Sequence, residues 1–151
     1  MGIYPADHLI VGDAKFMEII TNARKMVENK STLITIGIKP TYPATGYGYI
    51  QYDSNKTLDV KGIYKVKTFA EKPEQETAEK FVKSGECLWN AGMFVWKAEL
   101  ILLEMKTFMC ELHESLDAIY DSLDTPQYDA VLDREWELIQ PTSIDYGILE
   151  K

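Results

Sequence analysis

The stretch Leu33-Ile34-Thr35-Ile36-Gly37-Ile38 decides the fold class, because it is a β-branched run bounded by Ser31 and Pro40. A short apolar run between turn formers predicts a buried strand. The residues after Asp13, which is suited to cap a helix, repeat apolar side chains at helical spacing. A helix that leads into a buried strand is typical of an α/β unit with a parallel pair of strands.

The same patterns predict further elements along the rest of the chain. The expected strands are Gly48–Asp53 and Val60–Phe69, joined by a polar turn at Ser54–Thr57, and Cys87–Trp96. The expected helices are a short one between Pro73 and Gly85, one from Lys97 to about Asp124, and one over Tyr128–Ile139. We therefore expect one α/β domain over residues 1–151, with a mixed sheet and flanking helices.

Composition excludes several classes of function. The chain has 151 residues and a net charge of −8, which argues against a nucleic-acid-binding surface. No apolar run approaches the length of a membrane span, and no signal peptide is recognisable, so we predict a cytoplasmic protein without a membrane partner. Cys87 and Cys110 lack metal-ligand spacing and are expected to be buried thiols. The acidic run on the third predicted helix, Glu111 to Asp124, is expected to be a solvated face.

Two strand-like segments each deliver polar groups from apolar surroundings. Phe69-Ala70-Glu71-Lys72-Pro73 supplies a carboxylate and an ammonium, and Trp89-Asn90-Ala91-Gly92-Met93-Phe94 supplies an amide. Carboxylate and amide carbonyl oxygens accept from hydroxyls, the amide NH₂ donates, and an ammonium pairs with phosphate. This set is suited to a sugar phosphate, provided that Pro73 bends the chain so that Glu71 and Lys72 reach one side.

Each candidate also has a purely structural interpretation. Asp7 follows a strand end, where a carboxylate suits Mg²⁺, but it could be a turn residue. The Gly46-x-Gly48 loop could approach a ligand or could be a tight turn into a strand. Glu71 and Lys72 could be a surface charge pair. A buried Asn90 must find partners, which are backbone groups or a ligand.

Six short motifs in order give the chain a resemblance to the mannose-1-phosphate guanylyltransferases. Besides the two segments above, they are Pro5-Ala6-Asp7-His8, Gly37-Ile38-Lys39-Pro40-Thr41, Gly46-Tyr47-Gly48-Tyr49-Ile50 and Ser143-Ile144-Asp145-Tyr146. The resemblance implies a partial Rossmann-like nucleotidyltransferase fold. It also implies a reaction in which mannose 1-phosphate attacks GTP with Mg²⁺ present, which gives GDP-mannose and pyrophosphate.

The resemblance assigns a role to each matching residue. It makes Asp7 the metal ligand, and Asp7 and Lys72 catalytic. It makes Gly48, Glu71, Lys72 and Asn90 binding residues for the sugar phosphate.

The sequence departs from the family pattern, which begins with a glycine-rich nucleotide loop and ends with a second metal-binding Asp. Neither is recognisable here, so the resemblance implies a truncated domain that holds the sugar-phosphate portion and is inactive alone. A homo-oligomer is left open. The rival interpretations are a non-catalytic sugar-phosphate-binding or assembly module, a sister hexose-1-phosphate nucleotidyltransferase, and an α/β domain with no ligand.

Overall fold

A computed structural model describes every residue of the chain except the side chains of Asn55 and Thr57. The chain divides into two compact units, residues 1–100 and 101–151; that residues 1–151 form one domain stays a prediction. The strands are β1 Gly2–Ile3, β2 Ile34–Ile38, β3 Tyr49–Thr57, β4 Tyr64–Ala70 and β5 Cys87–Val95. The helices are α1 Asp13–Asn29, α2 Gln75–Ser84, α3 Ala98–Phe108, α4 Cys110–Ser122 and α5 Tyr128–Leu138, followed by a π-helical turn at Asp145–Leu149.

The first unit is built around β5, which contacts three other strands. β3 pairs with its first residues, β1 pairs with its last residues, and β2 pairs with both ends. β4 is added outside β3. β5 therefore lies in the middle of the sheet, which explains why its sequence is largely apolar.

The expected parallel pair is not formed. β1 and β2 run in the same direction, as a helical crossover requires, but both pair antiparallel with β5, which lies between them. All pairings in the described part of the chain are antiparallel, so the mixed sheet predicted from sequence is replaced by an antiparallel one. The α/β class is confirmed.

Helices α1 and α2 cover opposite faces of this sheet. Ala23 and Val27 of α1 pack with Val95 and Ile34. Ala78 of α2 packs in a second cluster around a fully buried tyrosine, whose members are Tyr49, Cys87, Phe81, Val82 and Trp89. Ile50 and Leu88, each the chain neighbour of a residue in the second cluster, face α1 instead, because successive strand residues point to opposite faces.

The predicted end of α2 is confirmed, and two other predicted features, a turn and a continuous helix, are not. Helix α2 ends at Gly85, whose φ of 69° is the left-handed C-cap conformation that glycine adopts without strain. The turn expected at Ser54–Thr57 is wrong, because β3 continues to Thr57 and the reversal occurs at residues 58–63, with Gly62 at φ 83°. The single long helix is also wrong, because Met109 leaves helical geometry (φ −133°, ψ 53°) and separates α3 from α4.

The second unit contains an antiparallel hairpin of α4 and α5. Nine acidic residues and one arginine lie between Cys110 and Leu138, so this hairpin alone carries a charge of −8, equal to the net charge of the whole chain. The acidic run of α4 is exposed as predicted. Cys87 is buried but Cys110 is exposed, which corrects the expectation of two buried thiols. Among the described helices, none combines the length and apolarity needed to cross a membrane.

Candidate functional site

Three of the predicted site residues meet where β3 and β5 pair. The backbone N–H of Asn90 donates to the carbonyl oxygen of Gly48 at 2.7 Å. A Cβ added to Gly48 would overlap Oε2 of Glu71 and would lie 3.4 Å from the Asn90 Cβ. Gly48 is therefore required for close approach, because any side chain there would displace the carboxylate. The structure places Gly48, Glu71 and Asn90 together, although they come from three separate motifs.

Lys72 lies beside this group and points to the same side as Glu71. Its Nζ donates to Oε1 of Glu71 at 2.5 Å, and the Glu71 side chain is 8% exposed whereas that of Lys72 is 57% exposed. The backbone of Lys72 has a φ of 44°, a left-handed conformation that costs a non-glycine residue about 1–2 kcal/mol. This bend, together with Pro73, lets two adjacent residues present their charges side by side, as the sequence argument required.

The carbonyl oxygen of Asn90 accepts two hydrogen bonds from the protein. Thr35 Oγ1 donates to Oδ1 at 2.9 Å, and the backbone N–H of Gly92 donates to the same atom at 3.1 Å. These bonds stabilise an irregularity in β5. Thr35 and Gly37 lie two residues apart in β2, but their partners in β5, Phe94 and Asn90, lie four residues apart. Gly92 takes a φ of 63° within it. Bulges of this kind redirect a strand and its side chains.

An aromatic cluster flanks the Gly48 loop on β5. The ring of Trp89 makes edge contacts with Tyr42 at 5.0 Å and Tyr47 at 5.2 Å between centroids. A hydrogen bond with the Tyr47 hydroxyl raises the pKa of the Tyr42 hydroxyl. Trp89 Nε1 is buried without a hydrogen-bond partner in the described part of the chain. The loop that leads into Gly48 is therefore held by ring packing and by the hydrogen bond between Tyr42 and Tyr47.

Asp7 lies apart from these residues. It is exposed in a turn after β1 and lines an open cleft of about 500 Å³ that Ala91 and Met93 of β5 also line. The irregular part of β5 borders both the Glu71 site and the cleft of Asp7. Asn90 faces Glu71 and Gly48, and the next residue, Ala91, lines the cleft of Asp7. His8 lines the same cleft and has no assigned role.

Asp7 offers a single exposed carboxylate to a metal ion. No group of three or more His, Cys, Asp or Glu side chains within the described residues is placed to enclose a metal. Mg²⁺ does not need such a cage, since it is commonly held by one or two carboxylates together with water and phosphate oxygens. One exposed carboxylate on an open cleft fits that mode of binding.

Sequence reasoning missed Thr35. Thr35 carries the only side-chain hydroxyl within the apolar run of β2, and a polar group on a half-buried strand is a sign of a specific partner. That sign was available from sequence, but the partner was not, because Asn90 lies 55 residues away.

Comparison with known proteins identifies the family. A family model described as nucleotidyl transferase matches residues 1–138. The chain belongs to the nucleotidyl transferase family. The match covers β5, which carries Asn90, the bend after β4 that carries Glu71, and the turn that carries Asp7.

Among curated members of this nucleotidyl transferase group, the chain is 43% identical over 97 residues to the mannose-1-phosphate guanylyltransferase of Escherichia coli. It is 42% identical over 92 residues to the xanthan biosynthesis protein XanB of Xanthomonas campestris. These matches cover 62% and 61% of this chain and 20% and 18% of the relatives. The chain thus spans about a fifth of the length of the curated relatives it matches.

Solved structures share the fold over nearly the whole chain. A Thermus thermophilus protein described as a mannose-1-phosphate geranyltransferase superposes with a TM-score of 0.79 at 25% identity, covering 99% of this chain and 41% of that one. A Helicobacter pylori protein described as a mannose-6-phosphate isomerase gives 0.81 at 25% identity, covering 99% and 57%. The nucleotidyltransferase-like fold predicted from sequence is confirmed.

Proposed function

We propose that this chain forms the sugar-phosphate-binding portion of a mannose-1-phosphate guanylyltransferase, which makes GDP-mannose and pyrophosphate from mannose 1-phosphate and GTP. The observation that carries the proposal is the carboxylate of Glu71, held almost out of solvent between Gly48 and the ammonium of Lys72. Burying a carboxylate is unfavourable unless its oxygens are paired. Here the carboxylate is paired with Lys72, and a carboxylate held in this way next to a half-exposed ammonium is suited to hydroxyls on one side and a phosphate on the other.

The roles of the binding residues follow from their surroundings. Glu71, with its side chain 8% exposed, accepts hydrogen bonds from sugar hydroxyls, and Gly48 keeps the approach to it open. Lys72, with its side chain 57% exposed, can turn from Glu71 to the phosphate of mannose 1-phosphate without losing solvation elsewhere. Asp7 is the residue that would hold Mg²⁺, which when bound neutralises charge on the reacting phosphates.

Catalysis by such a site would rest on positioning and charge. The sugar phosphate itself is the nucleophile, so the protein needs no nucleophilic side chain. The Lys72 ammonium would orient the attacking phosphate and lower its repulsion from the nucleotide. Identity above 40% to guanylyltransferases over most of the chain supports the choice of mannose 1-phosphate and GTP.

Calorimetric titration of the chain with mannose 1-phosphate in Mg²⁺ tests the proposal. Glu71→Gln removes a charged acceptor and Lys72→Met removes the phosphate partner, and each is expected to weaken binding about tenfold, the worth of a charged hydrogen bond. Lys80→Met is the matched control, because Lys80 also pairs with a glutamate, Glu76, but on the exposed surface of α2. It should bind like the unaltered chain.

Two further ligands separate the rival functions. If Lys72 contacts the phosphate, the unaltered chain should bind mannose more weakly than mannose 1-phosphate. The Lys72→Met variant should bind these two ligands with equal affinity. Glucose 1-phosphate that binds more tightly than mannose 1-phosphate would favour a sister hexose-1-phosphate enzyme. Asp7→Asn should abolish any dependence of affinity on Mg²⁺, whereas a non-catalytic module would not need the ion. Absence of binding to all sugar phosphates would refute the proposal.

A further inference from the structure

A separate cavity lies between α1 and the sheet of the first unit. Its volume is about 430 Å³, which is within the range of small-molecule pockets. The walls are mainly apolar and include Ile19 and Met26 of α1 and Ile34, Ile50, Val66 and Leu88 of the strands. None of the residues assigned above to mannose 1-phosphate or Mg²⁺ lines it. Protein interiors contain few voids larger than a water molecule, so a space of this size indicates a ligand rather than imperfect packing.

Two polar contacts join α1 to the chain reversal at residues 58–63. Asn22 Nδ2 donates to the backbone carbonyl oxygen of Lys61 at 3.4 Å, and Lys30 Nζ pairs with Asp59 at 2.6 Å. Asn22 and Lys61 both line the cavity. The helix and the reversal therefore form a frame around the space, which makes it a pocket rather than an open face of the sheet.

Polar side chains in the wall of the cavity already have partners within the protein. The Thr35 hydroxyl donates to Asn90, and the Thr32 hydroxyl donates to the backbone carbonyl oxygen of Leu33. The NH₂ group of Asn22 is the one bonded to the reversal. Because an ordered water needs about two to four polar partners, such a wall holds water poorly and is suited to the apolar body of a ligand.

The charged residues of the cavity are exposed, and most of them are lysines. They are Lys15, Lys61, Lys65 and Glu18, three positive charges and one negative, which sum to +2 in a chain whose net charge is −8. The pKa of the Glu18 carboxyl is lowered mainly by its hydrogen bond from Lys15 and also by the charge of Lys61. The lysine of the helix and that of the reversal therefore act on the same rim. One glutamate does not neutralise three lysines, so the rim attracts an anion.

We propose that this cavity is a second ligand site, which binds an amphipathic anion such as a fatty acid or an alkyl phosphate. The apolar body of the ligand lies between α1 and the strands, and its charged head lies at Lys61 and Lys65. An ammonium is a point charge that pairs with carboxylate and phosphate alike, so the two head groups share one chemistry. The site goes beyond the proposed function and does not depend on it, because the two sets of residues are different.

Calorimetric titration of the chain with octanoate, decanoate and octyl phosphate tests the proposal. We expect one ligand per chain, and decanoate should bind about tenfold more tightly than octanoate because it buries two more CH₂ groups. Tighter binding of octyl phosphate than of octanoate would identify a phosphate head, and the reverse order would identify a carboxylate head. The absence of saturable binding for all three anions would overturn the proposal.

Charge reversal at the rim tests the position of the head group. A variant with both Lys61→Glu and Lys65→Glu should bind octanoate about tenfold more weakly, because two exposed attractions become repulsions, and should bind the neutral 1-octanol as before. The backbone bond from Lys61 to Asn22 is kept. Lys67→Glu is the matched control, since Lys67 is exposed on the same strand as Lys65 but does not line the cavity. Equal losses in the control and in the double variant would refute the assigned head-group position.

Val66→Trp tests the position of the apolar body. Val66 lines the cavity and is 42% exposed, so an indole there should fill part of the space with little effect on folding. Octanoate and 1-octanol should both bind at least tenfold more weakly, whereas the affinity for mannose 1-phosphate should stay unchanged. Unchanged octanoate affinity in a variant that still unfolds cooperatively would overturn the proposal. If the variant does not fold, the lysine variants decide the matter.

Discussion

The close packing of Gly48 against Glu71 makes Gly48→Ala the sharpest test of the site. The added Cβ would overlap Oε2 of Glu71, which real Cβ atoms do not approach within 3.0 Å. The other two neighbours, Asn90 Cβ and Phe69 Cζ, lie at 3.4 Å and can stay in ordinary contact. The backbone at Gly48 needs no left-handed conformation, so the carboxylate of Glu71 is the group that must move.

The expected cost falls on binding more than on stability. When the carboxylate turns away, the site loses its charged acceptor, which is worth about 1.5–3 kcal/mol, or roughly tenfold to a hundredfold in affinity for mannose 1-phosphate. The displaced ion pair contributes little to folding because the ammonium of Lys72 is more than half exposed. Its loss should lower the free energy of unfolding by about 1 kcal/mol at most, or Tm by about 2–4 °C in a chain of this size.

Gly46→Ala provides a control in the same loop, because a Cβ at Gly46 meets nothing within 4 Å. Calorimetric titration and thermal unfolding of both variants should show lost affinity only for Gly48→Ala. A double-mutant cycle with Glu71→Ala adds a second check, since Gly48→Ala should have no further effect once the carboxylate is absent. Equal affinities for the unaltered chain and Gly48→Ala, or additive losses in the cycle, would show that the overlap does not control the site.

Three further predictions concern groups outside this site. A thiol reagent such as DTNB should label Cys110 quickly and Cys87 only on unfolding, because burial raises the pKa of the Cys87 thiol; two fast thiols would contradict this. Tyr49→Phe should lower the free energy of unfolding in urea by about 1–3 kcal/mol, since it leaves the Ala44 carbonyl, now bonded at 2.9 Å, unpaired in the core, and an unchanged midpoint would refute it. Hydrogen bonds from its arginine neighbour lower the pKa of the Glu135 carboxyl. The stability that this carboxylate provides is therefore complete above the unfolded pKa of about 4.3, and it is lost as pH falls through the lower pKa of the folded state. Glu135→Gln should remove that acid-side loss from Tm measured between pH 6 and pH 2.

Local patterns predicted those parts of the fold that local physics determines. Helix α2 could be located because Gly85 ends it and its apolar residues face the sheet. The strand Cys87–Val95 could be located because its residues are apolar almost without interruption. Trp96, the last residue of the strand predicted there, is 1% exposed. In each of these cases the residues that give the sequence pattern lie within about ten residues of the element that they predict.

Pairing between distant segments could not be predicted in the same way. The sequence indicated a helix followed by a buried strand, but the strand inserted between β1 and β2 comes fifty residues later. The break at Met109 lies within an uninterrupted apolar stripe, without a glycine or proline to mark it. Both corrections arise because tertiary contacts, and not local propensity, decide where these elements pair and end.

Asn90 shows why the structural and the functional interpretations of a motif residue need not exclude each other. Its amide has two chemically different ends, and the protein uses the oxygen to hold the bulge of β5 through Gly92 and Thr35. That structural use must be kept in any variant that tests recognition of a ligand. It also means that Asn90→Ala is a poor test of binding, because the substitution removes the support of the bulge together with any contact that the amide makes to a ligand.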